Sequence, residues 1–221
     1  MRSRRCQAIP QLSAAAALTY QIAFVAIVFV VNPRRTLGGR SGWVDPRQSP
    51  PLERAASAIL AAGCAAQIGG QLVAAVSGRA GNPGSATRRT AGAALASAAT
   101  ALAVAGQGAM TDAWSTSVST TSGAPLVTHG PFAAVRNPVY ASFIAASVAA
   151  ALIAPTPVSL PAVGLVVAGL ELQVRAVEEP MLARVHGDRY RRYRGRTGRF
   201  LPHTSGRVLR HLPCGVWLRG A

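Results

Sequence analysis

The chain is organised around Leu126-Val127-Thr128-His129-Gly130-Pro131-Phe132-Ala133-Ala134-Val135-Arg136-Asn137-Pro138-Val139-Tyr140 and the two apolar segments after it. The first of these leads to Pro155-Thr156-Pro157, and the second ends at Val174. Next come Arg175, Glu178-Glu179 and a basic run holding Tyr190 and Tyr193 that closes at Pro202. Between Tyr140 and Val174 the one ionisable side chain is Glu171. Two helices of about 15 residues rise roughly 22 Å each, so a hairpin bent at the prolines returns Arg175, Glu178 and Glu179 beside Arg136 and Tyr140. The polar ends then form one charged cluster at one membrane face.

Outward from this hairpin the chain keeps the same character. Half of its 221 residues are hydrophobic, and runs such as Leu12 to Val31 carry no charge over a length that crosses a bilayer. A soluble helical protein has no use for such runs. The first span is Leu12 to Val31, ended by Asn32-Pro33 because proline disfavours helix in the residue before it. A second runs from Ala55 to Val76, where Gly63, Gly69 and Gly70 suit close helix packing. A third, Ala91 to Met110, is so rich in alanine that packing must hold it. A polar loop, Thr111 to Thr128, then places Asp112 and Trp114 at the membrane boundary. The expected fold is all-α: an integral membrane protein of about five transmembrane helices with a C-terminal helical hairpin. An amphipathic cytoplasmic helix over Glu178 to Arg194 follows, with Met181, Leu182 and Val185 opposite Arg184, Asp188, Arg191 and Arg192. The expected divisions are N-terminal transmembrane helices over 1–110, a catalytic region over 111–202 and a basic tail over 203–221.

All 23 basic residues are arginine, eleven of them between Arg175 and Arg219, and the net charge is +16. Such a tail can bind nucleic acid, but directly after a membrane hairpin it marks the cytoplasmic side and meets anionic headgroups. Membrane lipids are therefore the expected partner and nucleic acid is not. With five spans, Arg2, Arg4 and Arg5 fall outside and Arg34, Arg35, Arg40 and Arg47 inside; Arg79, Arg88 and Arg89, also outside, run against that orientation. Cys6, Cys64 and Cys214 are far apart without metal-ligand spacing, so neither a disulfide framework nor a metal site is expected. Met1 to Arg5 before an apolar run resembles a signal peptide, but the run is long and lacks a small-x-small cleavage site, which favours a retained first span.

The stretch resembles the isoprenylcysteine carboxyl methyltransferase and phospholipid methyltransferase family. That family's pattern reads Leu-Val-x-x-Gly-Pro-Tyr-x-x-x-Arg-(His/Asn)-Pro-x-Tyr, a hairpin, Glu-Glu-x-x-Leu, Gly-x-x-Tyr-x-x-Tyr and Phe-x-Pro. The matches are Leu126, Val127, Gly130, Pro131, Arg136, Asn137, Pro138, Tyr140, Glu178, Glu179, Leu182, Gly187, Tyr190, Tyr193, Phe200 and Pro202. The resemblance implies S-adenosyl-L-methionine as cofactor and a lipophilic or prenylated acceptor. It implies a cofactor site lined by Leu126, Val127, Phe132, Asn137, Pro138 and Tyr140, completed by Glu178. Asn137 stands where many relatives have His, Phe132 where Tyr is usual, and Ser142 and Ser147 where the hairpin carries Gly. These departures bear on the acceptor more than on the cofactor.

Methyl transfer is an in-line displacement in which sulfonium charge disperses, so alignment and exclusion of water are the protein's main tasks. Glu178 or Glu179 can accept from an ammonium or ribose, and Arg136 can pair with a carboxylate. The glutamate pair is equally a solvated helix start. Tyr190 and Tyr193 either close an adenine pocket or anchor the helix at the interface. Arg175 either holds an acceptor carboxylate or snorkels to headgroups. Arg136, Arg175 and Glu178 are the candidate catalytic residues. His129, alone in a loop, is left aside, since a carboxylate acceptor is already ionised at neutral pH. The leading expectation is carboxyl O-methylation of an isoprenylcysteine-like or other membrane-embedded carboxylate, at a site facing the cytoplasm from the plasma membrane. Phospholipid or amine N-methylation, a membrane reductase of the sterol reductase type and a non-catalytic membrane protein are the alternatives. A reductase would need a nicotinamide pocket, and the sequence has no separate Gly-rich phosphate loop.

Overall fold

The computed structural model describes residues 2–31, 49–77, 85–110 and 125–203, with side chains from Ile9 onward. The expectations for Asp112 and Trp114, for Arg34, Arg35, Arg40, Arg47 and Arg79, for the tail beyond His203 and for Cys214 lie outside these residues, as do those for the side chains of Arg2, Arg4, Arg5 and Cys6. Helix α1, Arg2–Ala26, continues as a π-helical segment, Ile27–Val31. Helices α2, Pro51–Ser77, and α3, Ala86–Met110, follow. Beyond residue 124 come a 3-10 turn at Gly130–Ala133, α4 at Pro138–Ile153, α5 at Ser159–Leu172, a π-helical segment at Gln173–Glu178 and α6 at Glu179–Arg196. Among the described residues there is no β-strand, only an isolated parallel bridge between Val135 and Gly198.

Four helical stretches are long and apolar enough to cross a membrane: Ile9–Val31, Pro51–Ser77, Ala86–Met110 and the run Ser159–Arg196, whose 38 residues, about 57 Å of rise, leave the charged part from Glu178 onward beyond the span. The protein is an all-α integral membrane protein. The remaining hairpin helix, α4, is apolar but has only 16 residues, or about 24 Å of rise. The amphipathic helix expected after the hairpin is not a separate element. It continues α5 through the π-helical segment, and its own regularity fails at Gly187, whose φ of 50° only glycine adopts readily.

Small residues set the helix spacing, as they do where lipid offers no hydrophobic drive for helix association. A Cβ at Gly63 would stand 2.9 Å from Ala162 O and Val166 N, and one at Gly169 would stand 2.7 Å from Leu60 N. Gly70 meets Thr156 and Val158. α2 and α5 therefore run antiparallel in backbone contact, and their pairing carries on towards Glu53 and Gln173. Gly92 against Ala149 and Ile153, and Gly106 against Pro138 and Val139, bring α3 and α4 together in the same way.

Polar side chains then fix these pairs. The Gln67 amide donates to Ser147 O at 2.7 Å, and Ser147 Oγ returns a bond to Gln67 Oε1 at 2.5 Å. Gln71 reaches Ala150 O at 3.3 Å, and Gln107 reaches Val28 O at 2.8 Å. Ser147, where the related hairpins carry glycine, thus has a specific partner here. α1 packs on α4 through aromatic rings, with Phe24 edge-on to Phe143 at 5.2 Å. This bundle holds the ends of α2, α4 and α5 together.

A charged corner built by the hairpin

The loop before α4 is shaped by Gly130, whose φ of 58° lets the chain turn into Pro131 and the short 3-10 helix. Pro138 then starts α4, a position where its missing N–H costs nothing. Between them the backbone is zipped to the strand-like segment after α6. Arg136 N donates to Gly198 O at 2.8 Å and Asn137 N to Arg199 O at 3.1 Å, while the Asn137 side chain reaches the same Arg199 carbonyl at 3.4 Å.

The zipper delivers two arginines to one carboxylate. Arg136 Nη2 lies 2.9 Å from Glu179 Oε1, with both side chains nearly buried. Arg199 forks onto the same group, its Nε 3.0 Å from Oε1 and its Nη2 2.9 Å from Oε2. Arg136 Nη1 also donates to the carbonyls of Arg194 and Thr197, closing the end of α6. Burial alone would raise the Glu179 carboxyl, but the Arg199 and Arg136 bonds outweigh it and hold the group below its ordinary range. Arg199 also bonds Glu171 at 3.1 Å, and Arg175, two-thirds exposed, pairs with the same Glu171.

Glu178 lies beyond the apolar part of α5 and has quite different company. It accepts from the Tyr140 hydroxyl and from the Gln173 amide. Burial drives its carboxyl up to about 7; those two bonds oppose the rise, while Glu53 and Glu179 add to it. Two neighbours in sequence therefore divide: Glu179 ties the architecture together, and Glu178 keeps a carboxylate with no arginine on it.

The other expected site residues fall into two groups. Leu126, Tyr190 and Tyr193 form one buried cluster with Leu182 and Ala183 against it. The Tyr193 hydroxyl donates to Phe132 O at 2.7 Å, and Phe132 is itself buried. Both tyrosine rings thus pack against the chain's own loop. Val127 is half-buried at its start, Pro138 is fully buried, and Arg175 stands apart on the outer side of the Glu171 pair. Three residues were missed from the sequence. Arg199 is one arginine among many, marked only by its place before Phe200. Glu53 offered a signal, a carboxylate opening an apolar span in a chain with seven acidic residues. Gln173 offered none.

Among the described residues no group of three or more His, Cys, Asp or Glu could hold a metal ion. Residues 87–189, from the start of α3 into α6, match the family described as phospholipid methyltransferase, integral-membrane methyltransferases related to the isoprenylcysteine carboxyl methyltransferases. No curated protein matches the chain.

Proposed function

We propose that this membrane protein, whose residues 87–189 match the phospholipid methyltransferase family, moves a methyl group from S-adenosyl-L-methionine to a lipophilic acceptor. The acceptor reaches the Tyr140–Glu178 corner from the bilayer. The observation that carries this reading is the division of the glutamate pair. Glu178 meets Tyr140 and Gln173 while every nearby guanidinium is directed elsewhere. The cofactor supplies a methyl group on a sulfonium, together with an ammonium and ribose hydroxyls that need acceptors. Glu178 and Gln173, whose Oε1 is buried without a partner, are such acceptors. Pro138 and Tyr140 lie beside them on α4, and the zipper from Val135 to Arg199 ties this end of the hairpin to the segment after α6.

The same inventory bears on the acceptor. A carboxylate acceptor of the isoprenylcysteine kind calls for a guanidinium fork, and Arg136, but for a buried Nε without a partner, and Arg199 are engaged by Glu179 and Glu171. Arg175, exposed beside Glu171, is the remaining candidate for that role. An amine acceptor of the phospholipid kind calls for carboxylates and carbonyls, which the corner has in excess. We therefore favour amine N-methylation over carboxyl O-methylation, with the site facing the cytoplasm. Purified protein in lipid nanodiscs, titrated with the methyl donor and then supplied with labelled donor and either an aminoethyl phospholipid or a farnesylcysteine, tests this. Donor binding and label in the aminoethyl lipid are expected. Label in the farnesylcysteine alone refutes the acceptor assignment, and absence of donor binding refutes the whole reading.

A further inference from the structure

Helix α2 lies outside the segment that matches the family, yet it reaches the same corner. The glycine contacts fix its register against α5: Gly70 opposite Thr156 and Val158, Gly63 opposite Ala162 and Val166, Gly169 opposite Ala56 and Leu60. One turn further along, the first turn of α2 faces the start of the π-helical segment, which brings Glu53 to Gln173. Glu53 is close enough for its charge to act on both Tyr140 and Glu178, so the start of α2 and the Glu178 corner lie on the same end of the bundle.

Glu53 is 7 % exposed, and among the described residues it has neither a hydrogen bond nor an ion pair. The neighbouring Arg54 is exposed. An acidic residue in the first turn of a helix is ordinary, because the helix dipole favours it there. That accounts for its place in the helix, however, and not for how little of the residue the bundle leaves exposed, since drawing an unpaired carboxylate out of water costs free energy. Gln173 makes the same point independently. It is 8 % exposed, its amide is committed to Glu178, and its buried Oε1 has no donor. The corner thus offers two carboxylates and a carbonyl. Of its donor groups, the Tyr140 hydroxyl is given to Glu178 and the Gln173 amide turns one N–H to it.

We infer that Glu53, Gln173 and Glu178, beside the Tyr140 hydroxyl, form a binding site for a protonated primary amine, and that Glu53 determines specificity for it from outside the family segment. A primary ammonium brings one positive charge and three N–H donors, which matches two carboxylates and an orphaned carbonyl. An anion would be repelled, and a neutral hydroxyl would leave most of the acceptors unmet. Two ligands of the proposed reaction carry this group, the methyl donor at its amino-acid end and an aminoethyl lipid at its head. The inference rests on the proposed function only for its choice between these two sources.

The test uses full-length protein in nanodiscs, the parent against Glu53→Gln and Gln173→Leu, with melting midpoints recorded for each. Binding is measured by calorimetry for S-adenosylhomocysteine and its deaminated analogue, and by titration for a fluorescent aminoethyl lipid and its hydroxyethyl counterpart. One amine-bearing ligand should lose about tenfold or more in affinity in Glu53→Gln, as expected for a lost charge-assisted hydrogen bond, while its amine-free counterpart is unaffected. Loss confined to S-adenosylhomocysteine assigns the site to the donor, and loss confined to the aminoethyl lipid assigns it to the acceptor. Gln173→Leu should move the same ligand by a smaller factor. Unchanged affinity for both amines in Glu53→Gln, or equal losses for amine and amine-free ligands, overturns the inference. A parent that binds the amine through Glu53 but transfers no methyl group overturns the proposed activity and leaves the site standing.

Discussion

Exchanging the two adjacent glutamates for glutamine, one at a time, should separate architecture from chemistry. Glu179 faces Arg136 at 2.9 Å and Arg199 at 2.9 Å, and the Arg136 and Glu179 side chains are only 9 % and 10 % exposed. Glu179→Gln keeps the volume but leaves two guanidinium groups facing a neutral amide. Removing one partner of a buried pair costs about 3–5 kcal/mol. Arg199 is 21 % exposed, so water replaces part of what it loses, and the lower end, about 3 kcal/mol, is the better figure. For a chain of this length each kcal/mol moves the melting midpoint by roughly 2–4 °C, which gives a fall of roughly 6–12 °C. Glu178→Gln should behave in the opposite way. Burial already holds that carboxyl near 7, so a neutral side chain suits the folded state, and the midpoint should stay or rise while affinity for the amine-bearing ligand drops about tenfold or more. Thermal unfolding in detergent, followed in parallel with calorimetric donor binding, measures both. A Glu179→Gln protein with the parental midpoint, or a Glu178→Gln protein that melts early and binds normally, refutes the division of roles.

Arg136→Lys should insert normally but lose most activity and about as much stability as Glu179→Gln, because an ammonium cannot serve Glu179 and the Arg194 and Thr197 carbonyls together; parental activity in a transfer assay would reduce Arg136 to a membrane-side charge. Gln67→Leu, which strands the Ser147 hydroxyl, should lower stability by roughly 1–2 kcal/mol without changing donor affinity, the size expected of interhelical bonds in bilayers, and chemical denaturation checks it. Single cysteines at Thr156 and His203 should react with an impermeant reagent from opposite sides of the membrane, and labelling from one side removes the hairpin as drawn. The pH response has a definite sign. Because the Glu178 carboxyl is raised to about 7, the stability tied to its protonated form is present at low pH and lost as pH rises through 7, whereas a cation binds the ionised form. Affinity for the amine should therefore rise between pH 6 and pH 8, by up to about tenfold per unit below 7 for one linked proton, and Glu178→Gln should flatten that rise.

How legible each feature was in the sequence depends on the range over which it is determined. The spans could be read because crossing a bilayer depends on local length and apolarity alone, and α1 to α3 lie close to the expected positions. The nearness of Arg136 to the glutamates came from the hairpin's bend at its two prolines, which needs only a rise per residue, while pairing with a glutamate and binding an anionic ligand both stayed open to it. Which glutamate it meets could not be read in that way. Side chains one residue apart on a helix point about 100° apart, and the phase at Glu178 depends on the preceding turn, which is π-helical and leaves no mark in the sequence. Glu53 was out of reach for a similar reason. Its place opposite Gln173 depends on the register of α2 against α5, set by glycines that suit close packing without naming the helix they meet. Tyr190 and Tyr193 had two readings on an exposed helix, and the structure places both rings beneath Leu126, a contact set by the loop's return and not by helix periodicity.

The π-helical segment Gln173–Glu178 connects these points. A π turn accommodates one residue more than an α turn over nearly the same rise, and such bulges recur at functional sites. Without the extra residue, the helix beyond it would be rotated by about one residue's angle, roughly 100°. The carboxylate that meets Arg136 and Arg199 would then move off them, and its neighbour would leave Tyr140. The insertion is what allows α5 to keep its glycine face on α2, where Gly169 touches Ala56 and Leu60, while α6 keeps Glu179 on the arginines and Tyr190 under the loop. Two packing demands that a single regular helix would set against each other are met on one continuous helical run. The residue caught between them is Glu178, a carboxylate in buried surroundings with only a hydroxyl and an amide to satisfy it.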